Sequence, residues 1–121
     1  MTNTLCRVEI ERRDGYPVAR LYGEIDVSNV DHIERELESL ESLAAEREPV
    51  CIIDLSEAEY FDSAGIRLLF SLAMLLRTRR QELHVIVPET SVVRRVLEIT
   101  DFARFVPVHP SIETLHRSEN R

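Results

Sequence analysis

The sequence predicts an α/β domain whose mixed, mostly parallel β-sheet begins with a β-hairpin and packs against about four helices. Strand-like and helix-like segments alternate after the first two strands, and the short β-branched apolar runs are bounded by polar residues. A chain of 121 residues is long enough for one hydrophobic core. We therefore expect a single domain over 1–121, with its core in about 5–117 and a polar tail at 118–121.

The first two strands are predicted from alternation and a turn signal. Apolar and charged residues alternate over 5–13, which is typical of a half-buried strand. Asp14-Gly15 is a hairpin-turn signal, and the second strand follows over 16–25. The segment Gly23-Glu24-Ile25-Asp26 ends that strand.

An amphipathic helix is predicted next, with its start near Ser28 and Asp31. Its apolar residues recur at three- and four-residue spacing and form one narrow stripe: Val30, Ile33, Leu37, Leu40 and Ala44. The stripe stops before Pro49, too early for a coiled coil. We expect this helix to lie on the sheet.

The central stretch of the chain predicts a strand that leads into a long helix. Val50–Ile53 is a buried strand, 54–59 is turn-like, and Asp62-Ser63 precedes the apolar segment 66–76. Ser63 is thereby placed in the first helical turn, where unpaired N–H groups and the helix dipole favour negative charge. A phosphate on Ser63 would suit this position.

The long helix is apolar nearly all round. Such a helix is either deeply buried or presents an apolar surface to a partner, and both alternatives stay open.

The rest of the chain continues the alternation. A strand over 83–88 is followed by a helix that Thr90 or Ser91 caps. A last strand over 105–108 is expected at a sheet edge because it contains a proline, and a terminal helix begins over 111–116.

Composition narrows the function classes. The net charge of −7 disfavours nucleic acid as the main partner, and no segment approaches the ~18 apolar residues of a membrane helix. All 15 basic residues are arginine, which excludes a P-loop lysine and Schiff-base chemistry. Cys6 and Cys51 lie in strand-like runs and form no disulfide framework, so we expect a reduced, cytoplasmic protein.

Enzyme signatures are missing from the sequence. The histidines lack metal-ligand spacing, and no glycine-rich loop occurs. Phe61 breaks the Gly-x-Ser-x-Gly pattern around Ser63, although a triad assembled in space stays open. Asp54 follows a strand like the phosphoacceptor of a receiver domain, but the lysine of that mechanism is missing. We expect a protein that is not an enzyme and uses no cofactor or metal.

Four segments together resemble the STAS domain, which occurs in sulfate transporters and anti-sigma factor antagonists. They are Leu21-Tyr22-Gly23-Glu24-Ile25-Asp26, Ile53-Asp54-Leu55-Ser56, Phe61-Asp62-Ser63-Ala64-Gly65-Ile66 and Val96-Leu97-Glu98-Ile99-Thr100. The resemblance covers nearly the whole chain. The sequence departs from the family pattern at Asp101, where the family often has glycine. This difference affects only the end of the predicted helix that precedes Asp101.

The resemblance implies a stand-alone anti-sigma factor antagonist. In such members the serine matching Ser63 is phosphorylated by an anti-sigma factor that is a kinase, and a PP2C-type phosphatase reverses this. The unphosphorylated form binds the anti-sigma factor and frees the sigma factor. The partner-binding residues implied for this chain are Gly23, Glu24, Asp26, Asp62, Ser63, Ala64, Gly65 and Ile66.

Three other functions stay open at this point. A STAS accessory subunit of a lipid-transport ABC ATPase would use the same helix for docking without phosphorylation. A module that senses a small ligand or nucleotide would bind near Ser63, and a serine hydrolase would need a triad. The sequence does not specify the sigma factor, the kinase, the phosphatase, the inducing signal or the choice between a monomer and a weak dimer.

Overall fold

The computed structural model of the protein describes residues 6–43 and 48–119. Within them, strands and helices alternate as the sequence predicts. In chain order they are β1 (Cys6–Arg13), β2 (Tyr16–Ile25), α1 (Val30–Leu43), β3 (Val50–Asp54), β4 (Ala58–Phe61), α2 (Ser63–Thr78), β5 (Glu82–Ile86), α3 (Val92–Ile99), a 3-10 turn (Phe102–Arg104), β6 (Val108–His109) and α4 (Ile112–Glu119).

Five strands form one sheet in the order β1-β2-β3-β5-β6. The short strand β4 belongs to the same sheet and pairs with β2. β1 and β2 form the predicted antiparallel hairpin, and all other pairs are parallel. β3 is central, and all five of its residues are buried. The predicted fold class, a mixed and mostly parallel sheet with an initial hairpin and four helices, is confirmed.

The sheet separates two apolar clusters. α1, α2 and α3 cover one face, where they pack on residues such as Leu21, Ile53 and Val85. α4 covers the opposite face through Ile112 and Leu115, which pack near Val18, Val50, Ile52 and Ile86. The alternation predicted for β1 and β2 is confirmed because neighbouring residues of β2 face different clusters.

The predicted apolar stripe of α1 is confirmed at Ile33, Leu37 and Leu40, which are all buried. Leu5 and Ala44, which were also assigned to predicted elements, lie outside the described residues.

Two predictions about the elements are wrong. The segment 54–59, predicted as a turn, overlaps the start of β4, whose pairing with β2 could not be read from local sequence. β6 is only Val108–His109, because the N–H groups of Phe105 and Val106 donate to the Phe102 carbonyl and continue the 3-10 turn. The terminal helix predicted to begin over 111–116 is α4, which ends at Glu119, and residues 120 and 121 lie outside the described residues. The predicted edge position of the last strand is confirmed.

Candidate functional site

Ser63 is the first residue of α2, and the chain reaches it from β4 through Asp62 alone. Asp62 is the N-cap residue, and its carboxylate accepts a hydrogen bond from the Ala64 N–H at 2.9 Å. The Ser63 side chain is exposed, and its hydroxyl has no hydrogen-bond partner among the described residues. The predicted position of Ser63 at a helix start is confirmed, and its hydroxyl is accessible from solvent.

Gly65 allows α2 to begin close against β4. A Cβ atom at position 65 would lie 2.7–2.9 Å from ring atoms of Phe61, which is inside any normal contact distance. Phe61 is itself buried at the end of β4. The strand end and the first helical turn are therefore in direct contact, and this contact holds the backbone around Ser63.

The pairing of β2 with β4 brings two acidic turns to one edge of the sheet. Ile25 lies beside Phe61 in parallel register, so Asp26 and Asp62 leave neighbouring strands at the same end. The register shifts between Gly23 and Glu24, and Gly23 has a φ of +89°. That backbone region is readily accessible only to glycine, which explains its presence in the middle of β2.

The turn after β2 is held by two side chains. Asp26 accepts a hydrogen bond from the Ser28 N–H at 2.8 Å. The buried Asn29 side chain accepts from the Asp26 N–H at 3.0 Å and donates to the Glu24 carbonyl at 2.7 Å. The predicted helix start was near Ser28 and Asp31, and Asn29 was not among the predicted residues. The available signal was an asparagine directly before the first residue of the apolar stripe.

The predicted partner-binding residues differ in exposure. Ser63 is exposed, and Gly23, Glu24, Asp26 and Asp62 are partly exposed. Ala64, Gly65 and Ile66 are buried. The structure thus gathers all eight at one edge of the sheet, where the buried three support the turn and the others reach solvent.

A groove runs between α1 and α2 from this edge. Its upper part, beside Ser63, is lined by Val27, Val30, Asp31, Glu34, Ala64, Arg67, Leu68 and Ser71. It continues along the same two helices past Leu72 and Leu75. No residue of α1 was among the predicted partner-binding residues. Val27, whose side chain is 75% exposed, lies at the mouth of this groove.

Both alternatives for the apolar helix α2 are partly realised. Leu68, Leu69, Leu72 and Leu76 are buried in the core. Met74 and Leu75 are instead 68% and 40% exposed. α2 therefore packs on the sheet and still presents apolar surface.

Asp54 has a structural environment of its own. It is buried at the end of β3, where Arg13 donates to its carboxylate at 2.8 Å and Arg20 at 3.4 Å. A hydrogen bond to Tyr22, with a smaller contribution from the Asp54 charge, raises the pKa of Arg20. This carboxylate is thus committed to holding three strands together.

The remaining reactive side chains do not converge on Ser63. His84 contacts Glu82 at 2.7 Å and His109 at 2.9 Å, and none of the described histidines is hydrogen-bonded to Ser63. No group of three potential metal ligands occurs in 6–43 and 48–119. Burial raises the pKa of the Cys6 and Cys51 thiols to about 11, so both stay protonated at neutral pH. Among the described helices, none has the length and apolarity to span a membrane.

Comparisons with known proteins identify the family of this chain. The STAS domain family model matches residues 7–115. BtrV of Bordetella bronchiseptica, named as a candidate anti-sigma factor antagonist, is 31% identical over 107 residues, which cover 88% of this chain and 89% of BtrV.

Solved structures share the fold. An anti-sigma factor antagonist from Mycobacterium paratuberculosis superposes with a TM-score of 0.78 at 22% identity, covering 96% of this chain and 95% of that one. The antagonist SpoIIAA in its unphosphorylated form gives 0.69 at 19% identity, covering 95% and 98%. SpoIIAA of Bacillus in its phosphorylated form gives 0.60 at 19% identity, covering 93% and 99%. With the family model matching most of its length and a relative above 30% identity, this chain belongs to the STAS domain family.

Proposed function

We propose that this protein is an anti-sigma factor antagonist whose binding is switched by phosphorylation of Ser63. In its unphosphorylated form it binds an anti-sigma factor with serine kinase activity and so frees a sigma factor. A PP2C-type phosphatase restores this form. The single observation that carries the proposal is the exposed Ser63 hydroxyl at the first turn of a firmly packed helix, where no described residue hydrogen-bonds to it.

The site is suited to carry a phosphate without refolding. The first N–H groups of α2 lack intrahelical partners, and the helix dipole stabilises an anion there. The Asp62 carboxylate accepts a hydrogen bond from the Ala64 N–H, and Gly65 packs on Phe61. The phosphate would therefore change the charge of a turn whose backbone is already fixed.

The partner would sense that change directly. Phosphorylation adds a charge of about −1.5 to −2 at pH 7. Asp26 and Asp62 already make this edge of the sheet acidic. Burying an additional hydrated dianion against a partner costs several kcal/mol unless the partner supplies a new cation. Binding is switched off by charge, and we infer no catalytic role for this protein.

Phosphorylation is tested with candidate anti-sigma kinases and Mg-ATP, followed by intact mass. The proposal expects one added phosphate on the wild type and on Ser71→Ala, and none on Ser63→Ala. Ser71 is a matched control because it is an exposed serine on the same helix, two turns further on. A phosphate that persists in Ser63→Ala would contradict the assignment.

Binding is tested separately with Ser63→Asp. Its affinity for the anti-sigma factor that phosphorylates the wild type should fall at least about a hundredfold, or roughly 2.7 kcal/mol. Equal affinities for Ser63→Asp and the wild type would contradict the switch. Because a sigma factor acts with RNA polymerase, the proposal also expects a cytoplasmic protein.

The groove favours one second candidate. The part of the groove that Leu72 and the exposed Leu75 line could dock a lipid-transport ABC ATPase without phosphorylation. Co-purification with such an ATPase, together with no modification by any kinase, would support that function. A thermal shift on adding nucleotides or other small ligands would instead favour a sensor module.

A further inference from the structure

Arg67 lies one helical turn beyond Ser63 on α2. Residues four apart on an α-helix share a face, with about 5–6 Å between their Cβ atoms. Side chains on a helix lean toward its N-terminus, so a long side chain at 67 extends back over residue 63. Both side chains are exposed, so the Arg67 side chain can approach Ser63 from the solvent side of the helix.

The Arg67 guanidinium differs from several other arginines in its contacts. Other arginines have ion pairs, such as Arg13 with Asp54 at 2.8 Å and Arg12 with Glu48 at 2.8 Å. Arg67 has no ion pair or hydrogen bond within 6–43 and 48–119. It lines the groove together with Asp31 and Glu34 of α1. No described residue therefore uses its donors, and its charge offsets part of the acidity of the upper part of the groove.

We propose that Arg67 is the intramolecular counter-ion of the phosphate on Ser63, an inference that rests on the proposed function. The planar guanidinium presents parallel N–H donors that match two phosphate oxygens. Asp62 opposes a phosphate at this turn, because its carboxylate lies at the adjacent cap position. Arg67 offsets that repulsion, and the i, i+4 geometry forms the pair without any backbone movement.

Such a pair would change the partner surface in two ways. The phosphate places a dianion at the rim of the site, and Arg67 swings from the groove to that rim. Asp31 and Glu34 then lose the positive charge beside them. In the upper part of the groove, a partner meets Arg67 together with Asp31 and Glu34 in the unmodified protein, but only the two carboxylates in the modified one.

The test uses protein with phosphoserine inserted at position 63 during translation, so no kinase is needed. Phosphorus NMR follows the second ionisation of the phosphate, which occurs near pH 6 in free phosphoserine. We expect this pKa to be about 0.5 lower in the wild type than in Arg67→Gln, because a nearby cation favours the dianion. Arg77→Gln is the matched control, with the same charge change on the same helix about 20 Å from Ser63.

Thermal unfolding supplies a second measurement. Phosphoserine at position 63 should raise the melting temperature by about 2 °C more in the wild type and Arg77→Gln than in Arg67→Gln. Arg67→Lys should recover part of the pKa difference, since it keeps the charge but not the paired donors. The same phosphate pKa in the wild type, Arg67→Gln and Arg77→Gln would overturn the proposal.

Failure of this inference is distinguishable from failure of the proposed function. If kinases modify Ser63 while the phosphate pKa is the same in the wild type and Arg67→Gln, only the counter-ion role is wrong. If the phosphate pKa differs between the wild type and Arg67→Gln but no kinase modifies Ser63, the counter-ion role is supported and the phosphorylation switch is wrong.

Discussion

The ring of Phe61 lies directly beneath Gly65, and this contact sets how closely α2 approaches β4. Glycine is a poor helix residue, costing about 1 kcal/mol relative to alanine. Its presence in the first turn of α2 is explained by the lack of space for a methyl group. Gly65 therefore lowers the helix propensity of α2 but allows β4 and α2 to come into contact beside Ser63.

Gly65→Ala should therefore destabilise the protein although it improves helix propensity. We expect a loss of about 1–3 kcal/mol in the free energy of unfolding, because the ring of Phe61 must move within a packed core. Urea denaturation checks this. Phe61→Leu combined with Gly65→Ala should recover part of the loss, and additive losses in the double variant would contradict the contact as the cause.

Asp101 shows how a departure from the family pattern is accommodated. It follows α3 with φ 59° and ψ 32°, the left-handed conformation that glycine adopts most easily. Aspartate is among the few other residues that visit this region. The end of α3, which the sequence left in doubt, thus has the backbone geometry that a glycine would give it.

At the scale of elements, the start of α2 depends on Asp62. Asp62→Ala removes the acceptor of the Ala64 N–H and should lower the free energy of unfolding by about 1 kcal/mol. Asp62→Asn keeps an acceptor oxygen and should lose less than half as much. Thermal unfolding of the three proteins measures this. Equal melting temperatures for Asp62→Ala and the wild type would show that the cap contributes nothing.

Most elements were predictable because their signals are local. The alternation in β1, the three- and four-residue spacing in α1 and the cap before α2 are each contained in a short stretch of sequence. β4 was not predictable in this way, because its four residues follow a turn and become a strand by pairing with β2. The last strand also differs from its prediction, because the 3-10 turn precedes it and β6 begins only at Val108.

The candidate site was predictable to a similar extent. Ser63 and Asp62 follow from a cap signal at a strand–helix junction, and Gly23, Glu24 and Asp26 followed from the resemblance. The groove residues Asp31 and Arg67 did not, because they come together only when α1 packs beside α2.

At the scale of the molecule, Asp54 joins three strands. Arg13 belongs to β1, Arg20 to β2 and Asp54 to β3, and the carboxylate is buried while both arginines remain about one quarter exposed. Such a link resists separation of the hairpin from the rest of the sheet.

Asp54→Asn should lower the free energy of unfolding by about 2 kcal/mol or more, because it leaves two partly buried arginines without their anion. The matched control is Arg104→Gln, which breaks the exposed pair with Asp101 and should change stability by less than about 0.5 kcal/mol. Denaturant midpoints compare the two. Similar small losses in both variants would show that burial of Asp54 does not strengthen the link.

The position of β2 in the sheet has a consequence for partial unfolding. β2 pairs with β1 on one side and with both β3 and β4 on the other, whereas β6 holds to the sheet by one short pairing. Fluctuations can detach β6 and α4 while the opposite face stays closed. Separating β2 from its neighbouring strands would require three pairings to break together, so the strand that leads to Asp26 belongs to the last part of the sheet to open. The Ser63 edge would therefore keep its shape in forms of the protein that have already lost their C-terminal end.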